Sequence, residues 1–253
     1  MGKPLPDIIQ TAVITGGASG FGAVATRALH AAGFRVVITD LDQEAAGALA
    51  LELDLAGETA VTATLDVSKP EDFQTVLTKV IERWGSAEVL FNNAARTEAK
   101  PVLEIDPATF NEVMATNAGG VFAGCQTFGR HFKERGYGRI VNMASLAGQN
   151  GGTATGAHYA ASKGAILTLT KVFARDLAAF GVTCNAISPG PMDTPMVHGI
   201  VPEERMEGFL KNIPVGRLGS PEFVAKMVTM LASPEAEFVT GACWDVNGGL
   251  FMR

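Results

Sequence analysis

Tyr159 and Lys163 stand four residues apart in Tyr159-Ala-Ala-Ser-Lys163. On a 3.6-residue helical period that spacing puts both on one face. A phenol that titrates near 10 is a poor base at neutral pH. A neighbouring ammonium favours the phenolate and lowers that value, so the pair reads as a tuned proton donor and acceptor. The same spacing occurs on solvated helix faces, so the pair needs a site around it. Ser145 supplies one candidate, a hydroxyl just past the run Arg139-Ile-Val-Asn-Met143, although a turn serine would look the same. Asn117 supplies another. Its amide falls in an apolar helical stripe (Phe110, Val113, Met114, Val121, Phe128, Phe132), where it must find partners or cost about a kcal/mol or more. Taken alone, a satisfied core amide is the preferred reading of that position, and Gly119-Gly120 just beyond permits a kink or an ordered water.

The elements that must carry these side chains follow from pattern. Thr11-Ala-Val-Ile-Thr15 is a short apolar, β-branched run and predicts a buried strand. Gly16-Gly-Ala-Ser-Gly20-Phe-Gly22 follows it, then a helical pattern, then a second strand at Arg35-Val-Val-Ile-Thr39. A glycine-rich first turn in such a βαβ unit lets backbone approach a pyrophosphate at the positive end of the helix. The spacing is neither the general dinucleotide fingerprint nor a nucleotide-triphosphate loop. Asp40, 18 residues after Gly22, can accept from ribose hydroxyls and would repel a 2′-phosphate. No Lys or Arg stands nearby to offset that repulsion, which favours NAD over NADP. A solvated strand end or a helix cap is the alternative for Asp40, and ranks below the cofactor reading given the turn upstream.

A third strand is expected over residues 59–65 with Asp66-Val67 as its exit, and a fourth at Glu88-Val-Leu-Phe91 before Asn92-Asn-Ala-Ala95. Helices are expected over about 108–134 and 160–179. Strands alternating with helices predict an α/β fold, a doubly wound parallel sheet with helices on both faces.

Composition bounds the rest. The chain has 253 residues, 47% hydrophobic and 18% charged, which suits one sizeable α/β domain or two small ones. The net charge is −6 with dispersed Lys and Arg, which gives no footprint for nucleic acid or an anionic membrane. No apolar run is long enough to span a bilayer, and the N-terminus lacks an apolar signal region or a myristoylation pattern. Cys125, Cys184 and Cys243 are far apart and the four histidines show no metal spacing. No metal is expected, and the thiols suit a reducing cytoplasm.

Taken in order, Thr15-Gly-Gly-Ala-Ser-Gly-Phe-Gly22, Asp66-Val67, Asn92-Asn-Ala-Ala95, Asn117, Ser145, Tyr159-x-x-x-Lys163, Pro189-Gly190 and Val246-Asn-Gly-Gly249 resemble the short-chain dehydrogenase/reductase family over nearly the whole chain. The resemblance implies a single Rossmann-type domain over 1–253 that transfers hydride between NAD and a carbon bearing oxygen. It implies that Tyr159 is the general acid/base and that Lys163 lowers its pKa and holds the nicotinamide ribose. It implies that Ser145 steadies the substrate oxygen and that Asn117 supports a water relay. The cofactor would lie against Gly16, Ser19, Gly20, Phe21, Gly22, Asp40, Asp66, Val67, Asn93, Ala94, Tyr159, Lys163, Pro189 and Gly190, with Thr194 at the carboxamide. It also implies a homotetramer. Two departures stand out. Ser145 and Tyr159 are 14 apart, one more than in many members, and Ala95 stands where the family often has Gly.

Residues 190–213 fall where the family carries its substrate lid. Met192, Met196, Val197, Ile200, Met206 and Phe209 give an apolar wall, or else the buried stripe of an ordinary amphipathic helix. The expected substrate is a small to medium, moderately apolar secondary alcohol or ketone. A 3-oxoacyl thioester reductase, a polyol or sugar dehydrogenase, and a catalytically silent dinucleotide-binding scaffold are the competing readings.

Overall fold

The computed structural model describes residues 9–152 and 155–252, with Met196 and Ile200 described in backbone only. Seven parallel strands form one sheet in the order β3-β2-β1-β4-β5-β6-β7. They are β1 Thr11–Thr15, β2 Arg35–Asp40, β3 Ala60–Thr64, β4 Val89–Asn92, β5 Gly138–Met143, β6 Val182–Pro189 and β7 Cys243–Val246. The central strands are buried along their whole length, as expected where helices cover both faces of a parallel sheet. The order reverses between β1 and β4, so their carboxyl ends open a crevice, the usual ligand position in such sheets.

One face carries α1 Gly20–Ala31, α2 Gln43–Leu53 and α10 Pro221–Ala232; Leu29, Leu49, Val228 and Leu231 pack there with Ile14, Ile38, Phe91 and Ile187. The other carries α3 Pro70–Trp84, α5 Gly120–Arg135 and α7 Ala157–Leu177; Phe73, Phe128, Phe132 and Ile166 pack there with Val13, Leu90 and Ile140. Each of these fully buried side chains contributes about 1.5–3 kcal/mol against an exposed one. Among the described residues no helix is long and apolar enough to cross a membrane.

The helix expected over 108–134 is divided. α4 Pro107–Met114 runs into a π-helical turn at Ala115–Gly119 before α5. A wider turn of this kind inserts one residue and is frequent at functional sites; here it carries Asn117, which is wholly buried. Gly120 follows because a Cβ there would meet Val67 at 2.9 Å. Phe110, expected on the buried stripe, is 37% exposed, because α4 does not continue the face of α5. The second long helix begins at Ala157, earlier than expected, so Tyr159 lies inside its first turn. Its sheet-facing stripe is Ile166, Thr170, Ala174 and Leu177, whereas Phe180 is exposed beyond the helix end. The glycine-rich connection before α7 opens with a short helix, α6 Ala147–Asn150.

Candidate active site

Thr15, Asp40, Asn92, Met143 and Pro189 end parallel strands, so the residues that follow them gather on one edge of the sheet. The glycine-rich turn leaves β1 there. Gly16 has φ +61°, and a Cβ would lie 2.9 Å from Ala94 Cα. A Cβ on Gly22 would come within contact of the Gly16 carbonyl at 1.8 Å and the Asn93 amide at 2.8 Å. Gly20, at φ +51°, has nothing within 4 Å of its missing side chain. The turn is therefore packed against the β4 loop on one side and open on the other. Ser19 precedes α1 without a side-chain cap bond, and no acidic residue stands in the helix's first turn. Unmasked N–H groups at a positive helix end beside an open glycine fit a pyrophosphate.

Two further contacts fix that turn. Asn93 donates from its amide to the carbonyls of Thr15 (3.2 Å) and Gly16 (3.0 Å), while Thr15 Oγ1 accepts from the backbone of Asn93 and Ala94 at 2.9 and 3.1 Å. Asp40 accepts from Ala18 N–H at 3.1 Å and from Asp42 N–H at 3.2 Å. Its carboxylate is thus held beside the turn. Phe21 is partly buried on α1. Asp66 is spent differently: its carboxylate accepts from Ser68 N–H (3.0 Å) and Oγ–H (2.7 Å) and lies 3.7 Å from Lys69. Those contacts hold its pKa below the ordinary carboxylate value, the Ser68 hydroxyl contributing most. Val67 is buried against Gly120.

The second cluster joins β5 to α7. Ser145 Oγ accepts from Ala147 N–H at 3.1 Å, and its hydroxyl lies beside Tyr159, where it favours the phenolate. α6 lies directly on α7 because Gly148 has no side chain; a Cβ would be 2.5 Å from the Lys163 carbonyl carbon. Lys163 is 2% exposed and donates to the Met143 carbonyl at 2.6 Å. Desolvation lowers its pKa to about 8. Its ammonium sits 5.5 Å from the Tyr159 ring centroid. The expected lowering of the Tyr159 pKa is reversed here. Desolvation of the phenol pushes it up, and the neighbouring Ser145 hydroxyl only partly opposes that. The packing around the half-buried Tyr159 disfavours the phenolate, while the ammonium is turned to Met143.

Asn117 is fully satisfied. Its Oδ1 accepts from Arg96 N–H at 2.7 Å, and its amide donates to the Arg96 carbonyl (2.9 Å) and to Ser162 Oγ (2.9 Å). Ser162 donates in turn to the Tyr159 carbonyl at 2.7 Å. The side chain thus clamps the loop after β4 to the helix that carries Tyr159. Ser162, the Met143 carbonyl and Thr15 had no signal of their own in sequence, although Ser162 lies within the Tyr159–Lys163 turn.

Pro189 closes β6, and its carbonyl accepts from Leu146 N–H at 2.9 Å. Gly190 donates to the Val246 carbonyl at 2.8 Å, and a Cβ there would meet Asn247 Cα at 2.8 Å. Thr194 caps α8 Pro195–Ile200, accepting from Val197 N–H at 3.4 Å. α9 Glu203–Lys211 follows and contains no fully buried residue. Met192 is buried, Val197, Met206 and Phe209 only in part, and the side chains of Met196 and Ile200 lie outside the described residues.

Residues 16–251 match the family model described as enoyl-(acyl carrier protein) reductase. A 4-formylbenzenesulfonate dehydrogenase of Comamonas testosteroni is 40% identical over 95% of this chain and 97% of that protein. An acetoacetyl-CoA reductase of Shinella zoogloeoides is 37% identical over 96% of this chain and 99% of its own length. The crystal structure of a short chain dehydrogenase from Bacillus anthracis superposes with a TM-score of 0.86 at 30% identity, covering 96% of this chain and 97% of that one.

Proposed function

From the premise that the chain belongs to the short-chain dehydrogenase/reductase family of oxidoreductases, we propose that it interconverts a secondary alcohol and a ketone with NAD, using Tyr159 as general acid/base. The carrying observation is Tyr159 beside the Ser145 hydroxyl, with the buried Lys163 ammonium 5.5 Å from its ring centroid, at the same sheet edge as the open glycine turn.

Gly16, Ser19, Gly20, Phe21 and Gly22 would hold the pyrophosphate, with Asn93 and Ala94 bracing that turn. Asp40 would take the adenosine ribose and exclude a 2′-phosphate. Asp66 and Val67 would border the adenine, and Lys163 would leave Met143 to hold the second ribose. Pro189, Gly190 and Thr194 would flank the nicotinamide. When bound, the dinucleotide supplies the hydride acceptor or donor. Tyr159 then gives the substrate oxygen a proton in reduction and takes it back in oxidation. Ser145 donates to the same oxygen and steadies its developing charge. A raised pKa keeps the phenol protonated but makes it a weaker acid; approach of the Lys163 charge once it turns from Met143 would lower it toward the working range. Asn117 holds the loop and helix in register and so keeps the proton path at Lys163 in place.

The segment 190–213 is proposed as the substrate lid, since α9 buries no residue of its own. The apolar faces of α5 and α7, with Phe122 and Val172 exposed, suit a homotetramer, checked by light scattering.

The deciding experiment is a panel of secondary alcohols, ketones and aromatic aldehydes, run with NAD at alkaline pH and NADH at neutral pH. Turnover is expected; binding of NADH without turnover on the panel would leave a silent scaffold. A 3-oxoacyl thioester reductase is the second reading, favoured by the acetoacetyl-CoA reductase match. Asp40 weighs against it if such a reductase requires NADPH, so a 3-oxoacyl thioester with each cofactor belongs in the panel.

A further inference from the structure

His158 is fully buried beside Tyr159, and nothing in the proposed chemistry uses it. Its Nδ1 accepts from Tyr159 N–H at 2.9 Å. Because Nδ1 accepts, the neutral ring carries its proton on Nε2, and among the described residues the buried Nε2 has no hydrogen-bond partner. A buried donor without a partner is destabilising, a cost that an apolar side chain of the same size would avoid. No described residue uses Nε2, so the other nitrogen is where a role is to be sought.

That nitrogen meets a local need. The first N–H groups of a helix have no partner within the helix and usually take one from a side chain at the cap. The cap of α7 is Gly156, which has no side chain, and no side-chain cap bond is made. Glycine is forced there: a Cβ would lie 2.3 Å from His158 Cε1 and 2.7 Å from Nδ1. Gly156 N–H meanwhile donates to the Glu98 carbonyl at 3.1 Å, which brings the β4 loop onto the helix start. The glycine makes room, and the imidazole does the capping from inside the first turn, at the backbone of Tyr159 itself. Among the described residues no other side chain accepts from the first-turn N–H groups of α7.

We propose that His158 is a positioning residue for Tyr159: it pins the backbone of the acid/base residue by capping the catalytic helix in place of an N-cap side chain. This rests on the reading of Tyr159 as the acid/base.

The test compares His158→Asn with His158→Leu on a substrate confirmed in the panel. Asparagine keeps an acceptor near the place of Nδ1 and removes the orphaned Nε2; leucine removes both. We expect H158N to keep kcat within about threefold of wild type, and H158L to lose about tenfold or more, because a misplaced acid/base loses rate steeply. KM and the Kd for NADH stay within about twofold in both, since neither binding surface contains His158. Equal kcat in H158L and wild type, or equal loss in H158N and H158L, overturns the assignment and leaves a packing residue. If H158L does not fold, H158Q replaces it, its amide lying one methylene too far to cap. A wild type that turns over nothing defeats the acid/base reading and this inference with it; an active wild type with active H158L defeats this inference alone.

Discussion

Lys163 reaches from the second turn of α7 to the last residue of β5, where its ammonium donates to the Met143 carbonyl at 2.6 Å. A charge is thereby held under Tyr159 in a place that water does not reach. Unfolded, the lysine keeps its proton to about pH 10.5; folded, it gives it up near 8 because burial penalises the charge. Between those values the unfolded chain binds more protons, so stability rises with pH. At neutral pH the buried charge costs about 3 kcal/mol. Lys163→Met removes that cost and loses one hydrogen bond worth about 1 kcal/mol. The variant is expected to be inactive yet more stable at pH 7 by about 2 kcal/mol, with the gain shrinking from pH 8 upward. Thermal melts of both proteins between pH 6.5 and 10 measure it. A variant less stable than wild type at pH 7 would show that the charge is not a burden.

Asp40 should decide between the two dinucleotides. Replacing it with Ser removes the charge beside the glycine-rich turn and the bond to Ala18 N–H. Wild type is expected to prefer NADH, and D40S to narrow that preference by about tenfold or more, the scale of one charged contact. Fluorescence titrations with NADH and NADPH give both constants. Tighter NADPH binding by wild type would refute the cofactor assignment.

Gly22 leaves no room for a side chain. A Cβ would overlap the Gly16 carbonyl and press on Asn93, so Gly22→Ala must move the turn. We expect NADH binding to weaken by about tenfold or more, as the turn's N–H groups lose their aim at the phosphates. Gly20→Ala meets no neighbour but requires φ +51° from an L-residue, which costs about 1 kcal/mol. It should therefore cost less in folding than Gly22→Ala. Melting curves and NADH titrations of the two variants separate strain from collision, and equal behaviour would contradict the packing described here.

Asn117→Ala deletes three hydrogen bonds at once and leaves the Arg96 backbone groups without partners. Each unmatched group costs about 1–3 kcal/mol. The expected result is a clear drop in Tm with a fall in kcat, because the β4 loop and α7 come apart. A variant that loses kcat at unchanged Tm would point instead to a direct part in the proton path.

Much of this was legible before the structure. Strand runs such as Thr11–Thr15 and the helix after Gly22 follow from apolar period and glycine placement, and the sheet edge then collects the residues that follow each strand. The π-helical turn was not legible, because its extra residue is bought by contacts far away in sequence: Asn117 to Arg96 and Ser162, and Gly120 to Val67. The direction of the Tyr159 shift was misread for a related reason. Spacing shows that Lys163 is near, but only the packed structure shows that burial outweighs it and that the ammonium is turned to Met143. His158 gave no signal at all, since its meaning lies in the missing side chain of Gly156.

The central claim is that Tyr159 moves the proton at the reacting oxygen. Tyr159→Phe keeps the ring and removes the hydroxyl, so one pair of measurements tests it: kcat on a confirmed substrate and the Kd for NADH. The account predicts that kcat falls by about 10²–10⁴-fold, the range for a lost general acid/base, while NADH binds within about twofold of wild type. Turnover by Y159F close to that of wild type would contradict it.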